Sequence, residues 1–351
     1  MTGKISEEDI EHILQHTERL WGNLRGARIF VSGGTGFMGC WLLEGFARAN
    51  ERLGLGASAV VLTRDPAAFH RKVPHLASSS SIQLLEGDVR SCVFPPGEFR
   101  FIIHAAADAS AHAATDLPLE TLDTIVGGTR HMLEFASRCG TSSFLFASSG
   151  AVYGRQPPDI THVLEAFRGG PDPTDPKSVY GESKRLAELL CSLYASQFGF
   201  ECKIARCFTF AGPHLPLNGL FAVGNFVRDA ILDRPLRLGG DGTPRRSYLY
   251  AADLAIWLWT ILLTGRNCVP YNVGSEHDLD IASLARTVTS VLNPRLSIEI
   301  ARTPVPGQPL QRYVPSTVLA RTELGLREHI GLELSLEKMA QWNRGRHVRS
   351  S

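Results

Sequence analysis

The chain lacks the features that would assign it at once to a secreted, membrane or nucleic-acid-binding class. Its seven cysteines stand singly, with no CxxC pair, which disfavours a disulfide framework or a zinc site and fits a reducing cytoplasm. The longest apolar run, Leu254 to Leu263, is about half the length that a membrane helix needs. The opening residues, MTGKISEEDIEHI, are acidic and polar, so no secretory signal is expected. We therefore expect a cytoplasmic protein that binds no structural metal.

An excess of charge of either sign is also lacking. Lys and Arg number 36 against 35 for Asp and Glu, a net charge of +1, which gives no general electrostatic reason to bind nucleic acid or an anionic membrane. What is present is an average globular composition, with 44% apolar and 20% charged residues over 351 positions. The length predicts one large domain or two closely joined lobes.

Short apolar runs alternate with helical segments between residues 27 and 208. This alternation predicts a parallel sheet covered by helices on both faces, an α/β fold. The predicted strands are residues 27–31, 59–63, 82–86, 101–104, 143–147 and 201–208. The predicted helices of this region are residues 38–52, 118–139 and 179–198. Residues 6–24 precede it and are predicted to form one amphipathic helix, capped by Ser6 and laid on the main body.

After Pro213 proline, glycine and arginine become frequent, which indicates a smaller lobe that closes over the carboxyl ends of the strands. We therefore expect residues 1–26 to be a helical extension and residues 27–206 to be the doubly wound domain. Residues 207–345 should mainly form the smaller lobe, with returns to the first domain near residues 248–275.

A glycine-rich turn follows the first strand. Gly33, Gly36 and Gly39 have the GxxGxxG spacing, directly after a strand and before a helix. Such a turn lets backbone N–H groups approach a pyrophosphate at a helix N-terminus, where the helix dipole favours anions. The turn therefore predicts a dinucleotide site, and a purely structural tight turn is the alternative.

The end of the second strand bears on which dinucleotide binds. An NAD site commonly has an acid there, whereas this strand ends in Thr63-Arg64-Asp65. Arg64 is suited to a 2′-phosphate and favours NADP, while Asp65 keeps NAD open. Asp88, after the third strand, is placed to contact adenine, or it is only a turn former.

A tyrosine and a lysine stand one helical turn apart on the helix predicted over residues 179–198. Tyr180 and Lys184 share one face of that helix, and Ser148 and Ser149 end the preceding strand. An ammonium favours the ionised form of a nearby phenol, whose ordinary pKa is about 10, and so makes it a useful base for a sugar hydroxyl. A serine hydroxyl would polarise the same oxygen. The set predicts hydride transfer, and a cofactor-binding sensor without turnover is the alternative from another class.

At this point the sequence resembles the extended short-chain dehydrogenase/reductases of the nucleotide-sugar epimerase/dehydratase group. The resemblance covers residues 27 to about 325. The matching stretches are GGTGFMG (33–39), GDV (87–89), HAAA (104–107), SSGAVYG (148–154), YGESKRLAE (180–188), RCFTFAGP (206–213), GNF (224–226), GDGTPRRSYLYAADLA (240–255) and YNVGS (271–275).

The resemblance implies a Rossmann domain with a C-terminal substrate-binding lobe, an NAD(P) cofactor, a nucleotide-diphosphate sugar as substrate and a homodimer formed through two helices per subunit. By matching position it implies that Ser149, Tyr180 and Lys184 are catalytic. The implied cofactor-binding residues are Gly33, Gly36, Phe37, Met38, Gly39, Arg64, Asp88, Val89, Ala105, Ala106, Tyr180 and Lys184. The implied substrate-binding residues are Thr209, Asn225, Arg246 and Arg312.

Two positions bear on the reaction. The family's dehydratases have an Asp-Glu pair directly after the catalytic hydroxyl, and its UDP-glucuronate decarboxylases have a Glu at the second of those positions. Here Gly150 and Ala151 stand there, and neither can move a proton. We therefore expect an epimerase or a 4-ketoreductase that acts at a sugar carbon, usually C4.

Two rival reactions stay open. A dehydratase or decarboxylase would need relocated acid–base groups, for which Cys207, His214, Glu165 and His162 are candidates, and a reductase of a non-nucleotide carbonyl would fit Arg64. Two departures from the family, Ile125 and Thr209, stand where Asn is frequent. The second of them leaves the sugar specificity open.

Overall fold

The fold is built on a seven-stranded parallel sheet. The computed structural model describes residues 3–106, 117–219 and 221–347. The strands lie in the order β11-β6-β5-β4-β1-β2-β3, and each neighbouring pair is parallel. They are β1 Arg28–Ser32, β2 Ser58–Thr63, β3 Ile82–Glu86, β4 Phe101–His104, β5 Ser143–Ser149, β6 Glu201–Cys207 and β11 Pro270–Val273. The α/β class is confirmed, and all six predicted strands are present.

Helices pack on both faces of this sheet, as expected for strands that are buried almost throughout. The main ones are α2 Phe37–Leu53, α3 Pro66–Lys72, α5 Pro118–Leu122, α6 Gly128–Ala136, α7 Val179–Phe198 and α9 Ala251–Thr264, with a short α4 at Pro74–Ala77. A π-helical turn, Asp123–Gly127, joins α5 to α6. Among the described residues no helix is both long and apolar enough to cross a membrane.

The chain reverses its direction of winding between β1 and β4, which are neighbours in the sheet but not in sequence. In open α/β sheets the crevice beyond the carboxyl ends of two such strands is where ligands bind. The glycine turn follows β1 and Ala105 follows β4, so both reach this crevice.

Apart from α9 and β11, most residues after the first six strands belong to smaller sheets and to helices that form a separate apolar core. The strands are β7 Phe210–Ala211, β8 Leu236–Leu238, β9 Arg245–Ser247, β10 Leu249–Tyr250, β12 Asp278–Asp280, β13 Ile298–Ile300 and β14 Arg312–Tyr313. The helices are α8 Ala222–Ile231, α10 Ile281–Leu292, α11 Val318–Leu324 and α12 Leu332–His347. Strand β9 is central, antiparallel to β12 and parallel to β14.

The prediction of a single helix over residues 6–24 is wrong in its second half. Helix α1 spans Glu7–Thr17, with Ser6 accepting a hydrogen bond from the Asp9 N–H, and a separate 3₁₀ turn spans Trp21–Leu24. The Trp21 side chain is buried against Trp259, with ring centres 5.1 Å apart, and the chain leaves the α1 axis to place it there. Helix α1 itself packs on α9 and α2.

Candidate active site

The turn between β1 and α2 is held so tightly that side chains do not fit. Gly33 has φ +76°, and a Cβ atom there would lie 2.5 Å from the backbone of Ala105 and Ala106. At Gly39 a Cβ atom would lie 2.3 Å from the backbone of Gly34. Both positions therefore require glycine for a close approach of main chain to main chain.

The N-terminus of α2 fits an anion. Gly36 is the exposed N-cap residue, and no side chain in the described ranges caps this end. The first-turn N–H groups, those of Phe37 and Met38 among them, are left to an outside acceptor. The glycine cradle and the uncapped helix end together fit the pyrophosphate of a dinucleotide.

A cleft of about 280 Å³ continues from this turn along the ends of β2 and β3. Gly33, Gly36, Arg64, Asp88, Val89, Ala105 and Ala106 are among the residues that line it. These predicted cofactor residues therefore converge on one cleft, where they could hold the adenosine half of NAD(P).

Two of the carboxylates around this cleft are engaged by neighbouring groups. The Arg90 guanidinium donates to both carboxylate oxygens of Asp88 and lowers the pKa of that carboxyl, as the charge of Arg64 also does to a smaller degree. The carboxylate of Asp65 accepts from the Ala68 N–H at 2.8 Å and so caps α3. The acid that kept NAD open is therefore engaged in a helix cap, while Arg64 faces the cleft.

The three predicted catalytic side chains come together at the end of β5. Tyr180 and Lys184 lie one turn apart on α7, and the Ser149 hydroxyl hydrogen-bonds the Tyr180 phenol. The Lys184 ammonium donates to the Ala147 carbonyl at 2.7 Å and lies 6.0 Å from the Tyr180 ring centre. Ser149 Oγ also accepts from the Ala151 N–H at 3.2 Å, which leaves its own hydrogen for another oxygen.

Burial reverses the expected direction of the tyrosine's ionisation. It raises the pKa of Tyr180 to about 12, and the bond from Ser149 lowers it only in part. Burial also lowers the pKa of Lys184 to about 8. In the protein alone the predicted lowering of the phenol's pKa is therefore not found, because burial sets the direction and Lys184 is not among the groups that shift the pKa of Tyr180. The phenol is neutral near pH 7 and can donate a proton.

A second phenol, that of Tyr313, reaches the same place and was missed by the sequence analysis. Its oxygen lies 3.3 Å from Ser149 Oγ and 3.4 Å from the Cys207 carbonyl. A Cβ atom at Gly150 would lie 2.8 Å from this oxygen and 2.7 Å from the Phe208 ring. Glycine at position 150 thus makes room for Tyr313. No local pattern marks Tyr313, since it comes from a two-residue strand 164 positions after Ser149.

The predicted substrate residues divide into two groups. Arg246 lies 5.7 Å from the Tyr313 ring centre, and Arg312 precedes Tyr313 on β14 and donates to Asp278 at 3.1 Å. The Thr209 hydroxyl donates to the Ser247 carbonyl. These three therefore lie on or beside β9 and β14, and Tyr313 belongs to β14. Asn225 is half-buried on α8, where its side-chain amide binds both backbone groups of Gly219, and no contact in the described ranges joins it to the other three.

The four candidates for relocated acid–base chemistry are differently engaged. Burial raises the pKa of the Cys207 thiol to about 12, so the thiol is protonated at neutral pH. Burial also raises the pKa of Glu165, whose carboxylate accepts from the Asn272 N–H. His162 binds the Glu276 carbonyl, and the His214 ring packs on Trp342.

A doubly wound sheet with a glycine turn at its switch point is the fold of dinucleotide-binding enzymes, and the Ser/Tyr/Lys set lies at the end of β5, the neighbour of β4. The model of the NAD dependent epimerase/dehydratase family matches residues 29–274, and the chain belongs to that family of enzymes. The resemblance is thereby confirmed, and so is the expectation of NAD(P) as the cofactor class.

Relatives of known activity include two decarboxylases. UDP-glucuronic acid decarboxylase 1 of Arabidopsis thaliana is 31% identical over 91% of this chain and 70% of its own length. The enzyme of the same name from Danio rerio is 30% identical over 90% of this chain and 72% of its own length.

Solved structures with the same fold include enzymes of other kinds. UDP-glucose 4-epimerase from Thermotoga maritima superposes with a TM-score of 0.76 at 20% identity, over 91% of this chain and 99% of that chain. The dTDP-glucose 4,6-dehydratase from Bacillus anthracis, solved with NAD, superposes with a TM-score of 0.74 at 19% identity, over 92% of this chain and 98% of that chain. At these identities the likeness extends to the fold alone.

Proposed function

We propose that the protein is an NAD(P)-dependent epimerase or 4-ketoreductase that acts on a ring carbon, C4, of a nucleotide-diphosphate sugar. When bound, NAD(P) accepts or supplies the hydride. Ser149 hydrogen-bonds the reacting oxygen of the sugar, and Tyr180 exchanges a proton with that oxygen. Lys184 holds positive charge behind Tyr180. The neutral form of Tyr180, which burial favours, is the form that donates a proton to a ketone during its reduction.

The absence of an acid–base side chain at the two positions after Ser149, Gly150 and Ala151, is the single observation that supports this choice of reaction. Elimination of water or loss of a carboxyl group needs a further group that moves a proton or steers charge, whereas Gly150 and Ala151 offer none. The contacts of Gly150 with Phe208 and Tyr313 leave no room for a side chain there. Oxidation and reduction at one carbon need only the Ser149, Tyr180 and Lys184 set.

Product analysis tests the proposal. The protein is incubated with UDP-, dTDP-, GDP- and CDP-sugars and their 4-keto derivatives, with NAD, NADH, NADP or NADPH, and products are identified by NMR. An epimer formed without net change of cofactor identifies an epimerase, and one NAD(P)H consumed per product identifies a ketoreductase. Loss of water would contradict both. A protein that none of these sugar nucleotides stabilises against heat would instead favour a reductase of a non-nucleotide carbonyl.

A decarboxylase is the second candidate, because the relatives at about 30% identity carry that name. It would have to use another group in place of the missing Glu, and Tyr313 is a phenol within reach of Ser149. Release of CO₂ from UDP-glucuronic acid would establish this candidate and overturn the first.

NADP is the preferred cofactor in this proposal. Arg64→Ala is expected to weaken NADPH binding by about 10-fold or more, because a guanidinium–phosphate pair is lost, and to leave NADH binding nearly unchanged. Fluorescence titration of both reduced cofactors measures the ratio. Arg71→Ala removes an exposed arginine of α3 and is the matched control. Equal losses for both cofactors, or no loss, would contradict the preference.

We also propose that residues 207–345 mainly form the nucleotide-sugar-binding lobe, in which Arg246 and Arg312 contact the diphosphate. An anionic diphosphate needs such local cations, although the chain as a whole is nearly neutral. Thr209 and Asn225 stay proposed sugar and diphosphate contacts. Asn225 would have to exchange its bonds to Gly219 for bonds to the substrate.

A homodimer is proposed through α5 and α7, which pack side by side. Leu186, Leu189 and Leu193 share one face of α7 and are 44–54% exposed, and Leu119 of α5 is 78% exposed. The double variant Leu189→Arg/Leu193→Arg is expected to halve the mass measured by light scattering after size-exclusion chromatography. Leu334→Arg, on the 43% exposed Leu334 of α12, is the control and should leave the mass unchanged. A monomeric parent protein would overturn the proposal.

A cytoplasmic location is the last part of the proposal. All seven cysteines lie in the described part of the chain, and no disulfide joins any two of them. Thiols persist in this state in a reducing compartment. Fractionation of cells that express the protein would test the location.

A further inference from the structure

An ion pair lies directly behind the catalytic side chains. Glu188 and Arg206 meet in bidentate geometry, with the Arg206 Nε 3.0 Å from one carboxylate oxygen and Nη2 2.7 Å from the other. Both side chains are nearly buried, at 12% and 13% exposure. A paired geometry of this kind fixes both partners in orientation as well as distance.

This pair joins four elements of the site directly and a fifth through Tyr153. Glu188 belongs to α7 and also accepts from the Ser148 hydroxyl at 2.6 Å, so it holds the residue next to Ser149 at the end of β5. Arg206 belongs to β6 and donates to the Tyr153 phenol at 2.9 Å, in the 3₁₀ turn that follows Ser149. The Tyr153 phenol donates in turn to the Asn272 side chain on β11 at 2.7 Å. The pair therefore ties the helix of Tyr180 to the strand end of Ser149.

Glu188 also stands one turn beyond Lys184 on the same helix. Tyr180, Lys184 and Glu188 follow at positions i, i+4 and i+8, which places all three on one face. Burial lowers the pKa of Lys184, whereas the carboxylate of Glu188 is among the groups that raise it again. The titratable groups that face Lys184 are Tyr180, Glu188 and Cys191 from α7, His104 from β4 and Cys207 from β6.

We propose that the Glu188–Arg206 pair is the positioning device of this active site: it fixes α7 against the ends of β5 and β6 and keeps a charge-balanced carboxylate beside Lys184. The proposal rests on the function proposed above and adds two residues to it. Neither residue touches the reacting atoms, so both act through Ser149, Tyr180 and Lys184.

Neutralisation of Glu188 and neutralisation of Arg206 are expected to shift the titration of Lys184 in opposite directions. Loss of the Glu188 charge leaves the Arg206 cation unpaired behind Lys184, which disfavours the ammonium. Loss of the Arg206 charge leaves the carboxylate unpaired, which favours the ammonium. A merely structural pair would slow turnover in both variants without opposite shifts in titration.

The first experiment compares Glu188→Gln, Arg206→Gln and the double variant by the pH dependence of kcat/KM. The alkaline limb, which reports loss of the Lys184 proton, is expected to move down by about one pH unit in Glu188→Gln and up by about one unit in Arg206→Gln. In the double variant it should return close to its position in the parent. Arg237→Gln and Glu299→Gln are the controls. Each removes one partner of an exposed ion pair outside the site and should leave the alkaline limb unshifted.

A measurement without substrate keeps failure of this inference distinct from failure of the proposed function. The Lys184 ammonium is titrated by NMR of protein labelled with ¹⁵N at lysine Nζ, with its signal assigned by Lys184→Met. Opposite shifts of the Lys184 titration in the two variants would support the positioning role of the pair even if no nucleotide sugar were turned over. Coincident titrations, or shifts in the same direction, would overturn it even in an active enzyme.

Conservative variants separate position from charge and serve if the neutral variants do not fold. Glu188→Asp and Arg206→Lys keep both charges but lose the bidentate geometry. Each is expected to lower kcat by about 10-fold, as for a displaced reacting group, with a small change in KM and an alkaline limb that stays within about 0.3 pH unit. Full kcat in both variants would contradict the positioning role.

Discussion

Tyr180→Phe is expected to lower kcat by about 10²–10⁴-fold, because the variant removes the oxygen that is proposed to exchange a proton with the sugar. The phenyl ring keeps the packing of Tyr180 on α7, so the affinity for NAD(P)H should change little. Steady-state turnover and fluorescence titration of the reduced cofactor measure the two quantities separately.

Tyr194→Phe is the matched control for this variant. Tyr194 lies on the same helix, stacks on Phe198 and is far along α7 from Ser149, so kcat should stay at the parent value. If Tyr180→Phe retained turnover, the proton would have to move through another group, and Tyr313 would be the first to examine. If it lost cofactor binding as well, the assignment of a purely chemical role to Tyr180 would be wrong.

Gly33→Ala is expected to weaken NAD(P)H binding by about 100-fold, which corresponds to about 2.7 kcal/mol. The added methyl group would overlap the backbone of Ala105 and Ala106, and neither main chain can move away without reshaping the crevice. A left-handed conformation costs a further 1–2 kcal/mol or so for a residue with a Cβ atom. Thermal unfolding should therefore begin at a clearly lower temperature.

Gly54→Ala separates the two causes. Gly54 ends α2 with φ +55°, but a Cβ atom there would meet nothing within 4 Å. This variant is expected to lose about 1 kcal/mol of unfolding free energy and to bind the cofactor as tightly as the parent. Equal cofactor losses in both variants would mean that the overlap at Gly33 is not the cause.

The sheet and the glycine turn were predictable because their signals are local. Short apolar runs such as residues 143–147 mark buried parallel strands without knowledge of their neighbours. The spacing of Gly33, Gly36 and Gly39 after a strand likewise marks the turn, and the i, i+4 spacing marks the shared face of Tyr180 and Lys184. In each case the residues that matter lie within one element or at its end.

Other features depended on contacts between distant segments. Tyr313 reaches Ser149 from a two-residue strand, and Arg206 on β6 meets Glu188 on α7. No local sequence pattern predicts either contact. The pKa values of Tyr180 and Lys184 depend on burial, which the spacing of residues does not report. The helix predicted over residues 6–24 ends early because Trp21 packs on Trp259, far along the chain.

Helix α9 is apolar nearly all round, and 12 of its 14 residues are buried. Its inner side lies on the sheet, while α1 covers its outer side with Ile10 and Ile13. The family match begins at residue 29, beyond α1. A fragment trimmed to that boundary would expose an apolar stripe on α9 and is expected to aggregate on expression, whereas a fragment that keeps α1 should stay dispersed.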